Sequence, residues 1–328
     1  MIDTRPHPDF TIVIPVYFNE GCLQSLMHNL HEEIILKNRQ RSCEIIFVDD
    51  GSGDHSLQEL LQLQTEYPDL IKVIQLTRNF GQGSAVLAGF HQARGDCVIT
   101  MSADGQDPIS LVNQMLQAHY EEKFDIVACS RAGRDESFYR KITSQFFYLL
   151  MQKLTFPNMP KGGFDFLLMS RRALETSLRN WDQNIFLQGQ LLWMGYPIKF
   201  IEYHRQRRIA GKSRWTFAKK LTMLIDGILA YSFFPIRMIS TIGFIVAILG
   251  FLYAAWIFVA WFIWGNPVQG WAPLMIMILV MGGLQMLMLG VIGEYLWRTL
   301  SQTRHRDLYI VQRIYDFSST GSQTNEKS

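Results

Sequence analysis

The sequence predicts an α/β fold, a mostly parallel sheet with helices on both faces, continuing into interfacial helices and a two-helix transmembrane hairpin. Three observations carry this. Short β-branched runs recur before residue 130, with helical periodicity between them, and that alternation builds parallel sheets. No charged residue occurs between Arg237 and Glu294. Gly265-Asn266-Pro267 and Gly270 interrupt this apolar tract, leaving Ile236–Trp264 and Trp271–Trp297. Each exceeds the roughly 20 apolar residues a helix needs to cross a hydrocarbon core.

The strands read in order as Thr11–Val16, Glu44–Val48, Lys72–Leu76, Cys97–Met101 and Asp125–Cys129. Ligands of such sheets bind beyond the strand carboxyl ends. Those ends read Pro15-Val16-Tyr17-Phe18-Asn19-Glu20, Asp49-Asp50-Gly51-Ser52 and Ser102-Ala103-Asp104-Gly105-Gln106-Asp107, so acidic and turn-forming residues gather at one rim. Phe138–Leu154 has an amphipathic helical pattern, and Gly162-Gly163 breaks it before another short apolar segment. Phe217–Phe234 mixes Lys219, Lys220 and Asp226 with regularly spaced apolar residues, the profile of a helix lying in a membrane interface. These features divide the chain into a sheet domain (1–215), a juxtamembrane helix (216–235), two membrane spans (236–297) and a C-terminal tail (298–328), of which Ser318–Ser328 reads as disordered.

The net charge of +2 says less than its placement. Arg205, Arg207, Arg208, Lys212, Arg214, Lys219 and Lys220 precede the first span, and Arg298, Arg304 and Arg306 follow the second. Basic flanks stay in the cytoplasm, so the expected location is the inner membrane, multi-pass, with the sheet domain and both termini cytoplasmic and only the Gly265–Gly270 turn outside. Met1–Asp9 lacks a signal-peptide pattern. Cys22, Cys43, Cys97 and Cys129 have no metal-ligand spacing and suit reduced, mostly buried thiols. No nucleic-acid partner is expected. Asp104 and Gln106 offer hard oxygen donors two positions apart in an extended segment, a pattern that suits Mg²⁺ or Mn²⁺. Such an ion could clamp a diphosphate leaving group.

Taken together, IPVYFNE, VDDGSGD, LTRNFGQGSAVLAG and SADGQDP resemble the cytosolic domain of family 2 glycosyltransferases with a GT-A fold. The likeness continues through SRAGRDESFYRKITSQFFY, GGFDFLLMSRR, FLQGQLLWMGY and RRIAGKSRW into the two spans, from Phe10 to about Ile314. It is similar to the polyisoprenyl-phosphate glycosyltransferases, relatives of dolichol-phosphate mannose synthase and of bactoprenol glucosyltransferases. The resemblance implies inverting transfer of a sugar from a nucleotide diphosphate sugar, a UDP-hexose or UDP-N-acetylhexosamine first, to a polyisoprenyl phosphate such as undecaprenyl phosphate. It places Pro15, Tyr17, Glu20, Asp49, Asp50 and Arg78 on the nucleotide side, with Ser102, Asp104, Arg208 and Ser213 toward the diphosphate. Arg131, Arg140 and Ser144 fall at acceptor-phosphate positions, Asp165 near the reacting centre, and Asp104 with Gln106 at the metal. It also suggests a homotetramer.

Two positions depart from the family pattern. Ser102 stands where an aspartate is usual, and Leu167 where an arginine is frequent. Ser102 leaves open a catalytically weak membrane scaffold that binds nucleotide sugars. A processive polysaccharide synthase would bring more spans and a Gln-x-x-Arg-Trp motif, whereas Gly211 lies three before Arg214. A transport role finds no intramembrane charge to build a polar path.

Overall fold

A computed structural model describes residues 7–131, 148–160, 162–181, 186–204, 227, 231–264, 271–304 and 306–316. They belong to two compact units, Met1–Met223 with Arg306–Ser328, and Leu224–His305.

In the first unit the order is β1 (Phe10–Val16), α1 (Leu23–Leu30, ending in a π-helical turn at His31–Ile35), β2 (Cys43–Asp49), α2 (Ser56–Glu66), β3 (Ile71–Leu76), α3 (Gln82–Gln92), β4 (Cys97–Thr100), α4 (Leu111–Tyr120) and β5 (Ile126–Arg131). Then follow β6 (Phe166–Ser170), α5 (Arg171–Arg179), α6 (Leu187–Trp193) and β7 (Ile198–Tyr203). The chain returns to this unit after the second one as β8 (Val311–Tyr315). All eight strands form one sheet in the order β7-β5-β6-β4-β1-β2-β3-β8.

The mostly parallel α/β class is what the sheet shows. β1 pairs in parallel with β2 and β4, β2 with β3, and β5 with β7. The reversals are β6, antiparallel to both β4 and β5, and β8, antiparallel to β3. The strands read as continuous apolar runs because both faces are covered. Phe10, Ile12, Ile14 and Val16 point to the face lined by Leu23, Met27 and Leu30 of α1 and Met115 of α4. Val13, Ile46, Val48 and Ile74 point to the other, against Ala85 and Phe90 of α3 and Leu174 of α5.

Away from the rim, one ion cluster ties the first and last strands together. Glu44 of β2 accepts from Thr11 Oγ1 (3.0 Å), Lys72 Nζ (3.4 Å), Arg94 Nε (3.1 Å) and Arg94 N (3.2 Å). Lys72 also reaches Asp316, just past β8, at 3.6 Å. The stretch read as a C-terminal tail therefore contributes an edge strand. Its Tyr315 hydroxyl donates to Gln75.

The second unit holds α7 (Phe234–Trp264) and α8 (Trp271–Thr303). Both are long and apolar enough to cross a membrane, over Phe234–Ile257 and Val280–Leu300. Their large apolar side chains, Phe244, Phe251, Phe262 and Met286 among them, are exposed. At Gly243 the missing side chain makes room for Met288. Of the expected amphipathic segment Phe138–Leu154, residues 148–154 are described and helical. The expected interfacial helix over Phe217–Phe234 lies almost wholly outside the described residues.

Replacing Glu44 by Leu would leave Lys72 and Arg94 short of their main counter-charge in a buried setting, a change that costs about 3 kcal/mol. The thermal midpoint of the detergent-solubilised chain is expected to drop, and an unchanged midpoint would show that the cluster is dispensable.

Candidate active site

The parallel strands bring their carboxyl ends to one rim, and the loops there are stitched to one another. After β1, Asn19 Oδ1 accepts from Tyr17 N (2.9 Å), while Phe18 N donates to Ser52 Oγ (3.2 Å) and Asn19 N to Ser56 Oγ (2.9 Å). These bonds hold Phe18 in a left-handed conformation, φ 56°, with its ring partly exposed and edge-on to Tyr17. Glu20 takes His55 Nδ1 and His55 N on its two oxygens, at 3.0 and 3.2 Å. The loops after β1 and β2 thus form one wall.

Asp49 and Asp50 sit beneath that wall and divide the labour. Asp49 is 1% exposed and accepts from Ser52 N at 3.2 Å, an Asx-type turn. Asp50 spends both oxygens on the loop after β3, accepting from Phe80 N (2.7 Å), Gly81 N (2.9 Å) and Asn79 Nδ2 (2.9 Å). Gly51 permits this closeness. Its φ is +69°, and a Cβ there would stand 2.6 Å from the Arg78 carbonyl carbon. Arg78 lies over the Phe80 ring, 4.0 Å from its centroid. Burial pushes the carboxyl groups of both Asp49 and Asp50 above the ordinary carboxylate range; the hydrogen bonds from Ser52 and from Phe80 and Gly81 offset part of that rise.

After β4, Ser102 Oγ lies 2.8 Å from Asp104 Oδ1 and 2.6 Å from Asp107 Oδ2. One hydroxyl carries one hydrogen, so it can donate to only one of these oxygens at a time. Asp104 Oδ1 also accepts from Gln106 N (3.2 Å). Among the described residues no group of three or more His, Cys, Asp or Glu is arranged to hold a metal ion. The oxygens of Asp104 and Gln106 nevertheless fit a hard divalent ion in chemistry.

The third part of the rim depends on β6. Because β6 runs against its neighbours, with Phe166 opposite Cys129 and Leu167 opposite Thr100, the residue just before it reaches the end where β4 and β5 finish. That residue is Asp165. Gly162 lets the approach happen, since a side chain there would strike the Arg131 carbonyl. Arg131 Nη2 pairs with Asp165 Oδ2 at 2.5 Å, and Gln188 Nε2 donates to Asp165 Oδ1 and to Phe164 O, both at 2.8 Å. Asp165 stays half-exposed, whereas the Arg131 side chain is 12% exposed. Burial alone would depress the Arg131 pKa, but Asp165, Tyr203 and Asp107 outweigh it and leave the guanidinium above its ordinary value, firmly charged. Its Nε is buried without a partner among the described residues, and a buried donor left so calls for an acceptor.

The rim thus gathers Pro15, Tyr17, Glu20, Asp49, Asp50 and Arg78 on one side, and Ser102, Asp104, Gln106, Arg131 and Asp165 on the other. Arg140, Ser144, Arg208 and Ser213 lie outside the described residues. Sequence reasoning missed Gln188, Tyr203 and Asp107 as parts of the site. Asp107 was quoted only as the end of a motif, and Tyr203 carried one signal, its place at the end of a β-branched run.

The family model for glycosyl transferase family 2 matches residues 11–178, and the chain belongs to that family: it is a glycosyltransferase built on a mostly parallel α/β sheet. A prophage bactoprenol glucosyl transferase homolog of Escherichia coli K12 is 34% identical over 93% of this chain and 98% of its own length. The bactoprenol glucosyl transferase of Shigella phage SfV is 34% identical over 92% and 97% of the two chains. The glycosyltransferase YkcC of Bacillus subtilis 168 is 33% identical over 94% and 95%. Among solved structures, the Pyrobaculum calidifontis mannosyltransferase PcManGT in complex with GDP-Man and Mn²⁺ overlaps 63% of this chain and 59% of its own, with 16% identity and a TM-score of 0.46.

The buried Asp49 makes a signed prediction. Its native pKa is raised above the ordinary 3.8, so the folded chain holds the proton longer than the unfolded one. The resulting penalty is absent below that pH, grows as pH rises through the window up to the raised native value, and is fully present above it. Asp49→Asn is expected to be more stable than the parent at pH 7 and to lose that advantage in acid. Melting curves at the two pH values check the sign.

Proposed function

We propose that this glycosyltransferase moves a sugar, with inversion, from a nucleotide diphosphate sugar to a polyisoprenyl phosphate such as undecaprenyl phosphate, with a UDP-hexose or UDP-N-acetylhexosamine as the favoured donor. The observation that carries the reading is the joining, in one chain, of this rim to two bilayer-length helices, over the same full length that the bactoprenol glucosyl transferases share. The product is a lipid-linked monosaccharide for surface glycan modification.

In this reading Asp49 accepts from the base or ribose, while Asp50 holds the loop that carries Arg78. Tyr17, Glu20 and Pro15 line the wall beside them. Arg208 and Ser213 approach the donor diphosphate. Arg131, with Arg140 and Ser144, receives the acceptor phosphate, for which a guanidinium fork is well shaped. An acceptor phosphate oxygen attacks the anomeric carbon, the new carbon–oxygen bond forms, and the bond to the diphosphate breaks with its electron pair leaving on the nucleoside diphosphate. A Mg²⁺ or Mn²⁺ ion at Asp104 and Gln106 would supply charge neutralisation on that leaving group. A phosphate monoester carries about −1.5 to −2 charges at neutral pH and needs no base. Asp165, fixed by donors on both oxygens, orients the acceptor and Arg131.

The fold bears on topology. β8 lies beyond the two apolar helices and pairs with β3, which lies before them. Strands of one sheet share one compartment, so if the helices cross a bilayer they cross it an even number of times. With basic residues on both flanks, the reading is an inner-membrane hairpin with the sheet unit cytoplasmic.

Purified protein in detergent is expected to move label from a UDP-sugar to undecaprenyl phosphate, giving a chloroform-soluble product that EDTA abolishes and Mg²⁺ or Mn²⁺ restores. Donor binding without lipid product from any UDP- or GDP-sugar would leave the scaffold reading in its place. In the same assay Asp165→Asn should lower kcat about 100-fold or more, the scale of a lost positioning contact, and leave donor affinity near the parent's. Parent-like turnover would remove Asp165 from the reacting centre.

A further inference from the structure

β7 ends beside β5 with Tyr203 directly opposite Arg131. The Tyr203 hydroxyl donates to Asp107 Oδ1 at 2.6 Å, and it lies near enough to the Arg131 guanidinium to act on its charge. Asp107 in turn meets Ser102 Oγ through its other oxygen at 2.6 Å. Tyr203 and Asp107 are both nearly fully buried. The phenol has one hydrogen, and arginine cannot accept one. The phenol hydrogen therefore goes to the Asp107 carboxylate. Burial, and after it the Asp107 carboxylate, pushes the Tyr203 pKa up, which keeps that hydrogen in place.

We propose that Tyr203 is a positioning residue for glycosyl transfer: its hydroxyl, clamped by Asp107, sets the Arg131–Asp165 pair at a fixed height relative to the Ser102–Asp104 loop. This rests on the transfer reading above. The donor diphosphate would lie against that loop and the acceptor phosphate against Arg131, so the link sets the distance between the two reactants. Displacements of about 1 Å cost on the order of 100-fold in such reactions.

The test is Tyr203→Phe, which keeps the ring and its packing and deletes the bridging oxygen. The expected result is a fall of about ten-fold or more in kcat over acceptor KM, with donor affinity within about two-fold of the parent and a melting temperature lowered by the loss of one buried donor to Asp107. Combining it with Asp107→Ala, which removes the acceptor, should cost no more than the larger single loss, because both break one link. Parent-like kinetics in Tyr203→Phe, additive losses in the double variant, or an equal loss of donor affinity would each overturn the positioning role. Absence of transfer by the parent protein would instead take down the transfer reading and this inference with it.

Discussion

An antiparallel strand inserted between β4 and β5 gives the rim its chemistry, because it reverses which end of a strand faces the ligand side. In a wholly parallel sheet the residues after each strand meet at the rim. With β6 turned around, Asp165, which precedes its strand, is delivered beside Arg131, which ends its own. The two antiparallel ladders fix this register, and the close passage of Gly162 over the Arg131 carbonyl fixes the approach. Gln188 then takes the remaining carboxylate oxygen, so the pair is held from the strands and from α6 at once.

Around that pair, charge is arranged by distance from water. Asp49 and Asp50 are carboxylates that the fold would rather keep neutral, and Asp50 is tolerated because three donors from one loop converge on it. Arg131 is buried and charged because three acidic or phenolic partners surround it. Such sites trade stability for function. The compensation lies at the opposite end of the strands, where Glu44 satisfies two cations, a hydroxyl and a backbone amide.

Much of this was readable from the residues, for a physical reason. Strands covered on both faces must be continuously apolar, so β1 to β5 stand out in the sequence, and their shared polarity locates the rim. Phe166–Ser170 was equally apolar but read only as a short segment, since nothing local says that a strand runs backwards. Val311–Tyr315 was hidden because a half-exposed edge strand needs few apolar residues, and Gln312 and Arg313 made it look like tail. The bonds linking Asp107 to Tyr203 and Asp165 to Gln188 join residues distant in sequence, and single-sequence patterns do not encode such pairs. Asp50 shows the same limit from the other side: the motif marked it as a ligand-side carboxylate, and the structure commits its oxygens to the Asn79–Gly81 loop.

The edge strand also has a history written into it. Tyr315 of β8 bonds to Gln75 of β3, 240 residues earlier in the chain. At roughly 5 to 20 residues per second of synthesis, β3 waits on the order of ten to fifty seconds for its outer partner, and both apolar helices are made in the interval. During that time β3 presents an open row of backbone donors and acceptors, the kind of edge to which a foreign strand can add. β8 closes this edge, so a chain cut short inside the apolar helices would carry an unsealed sheet joined to an unfinished apolar segment.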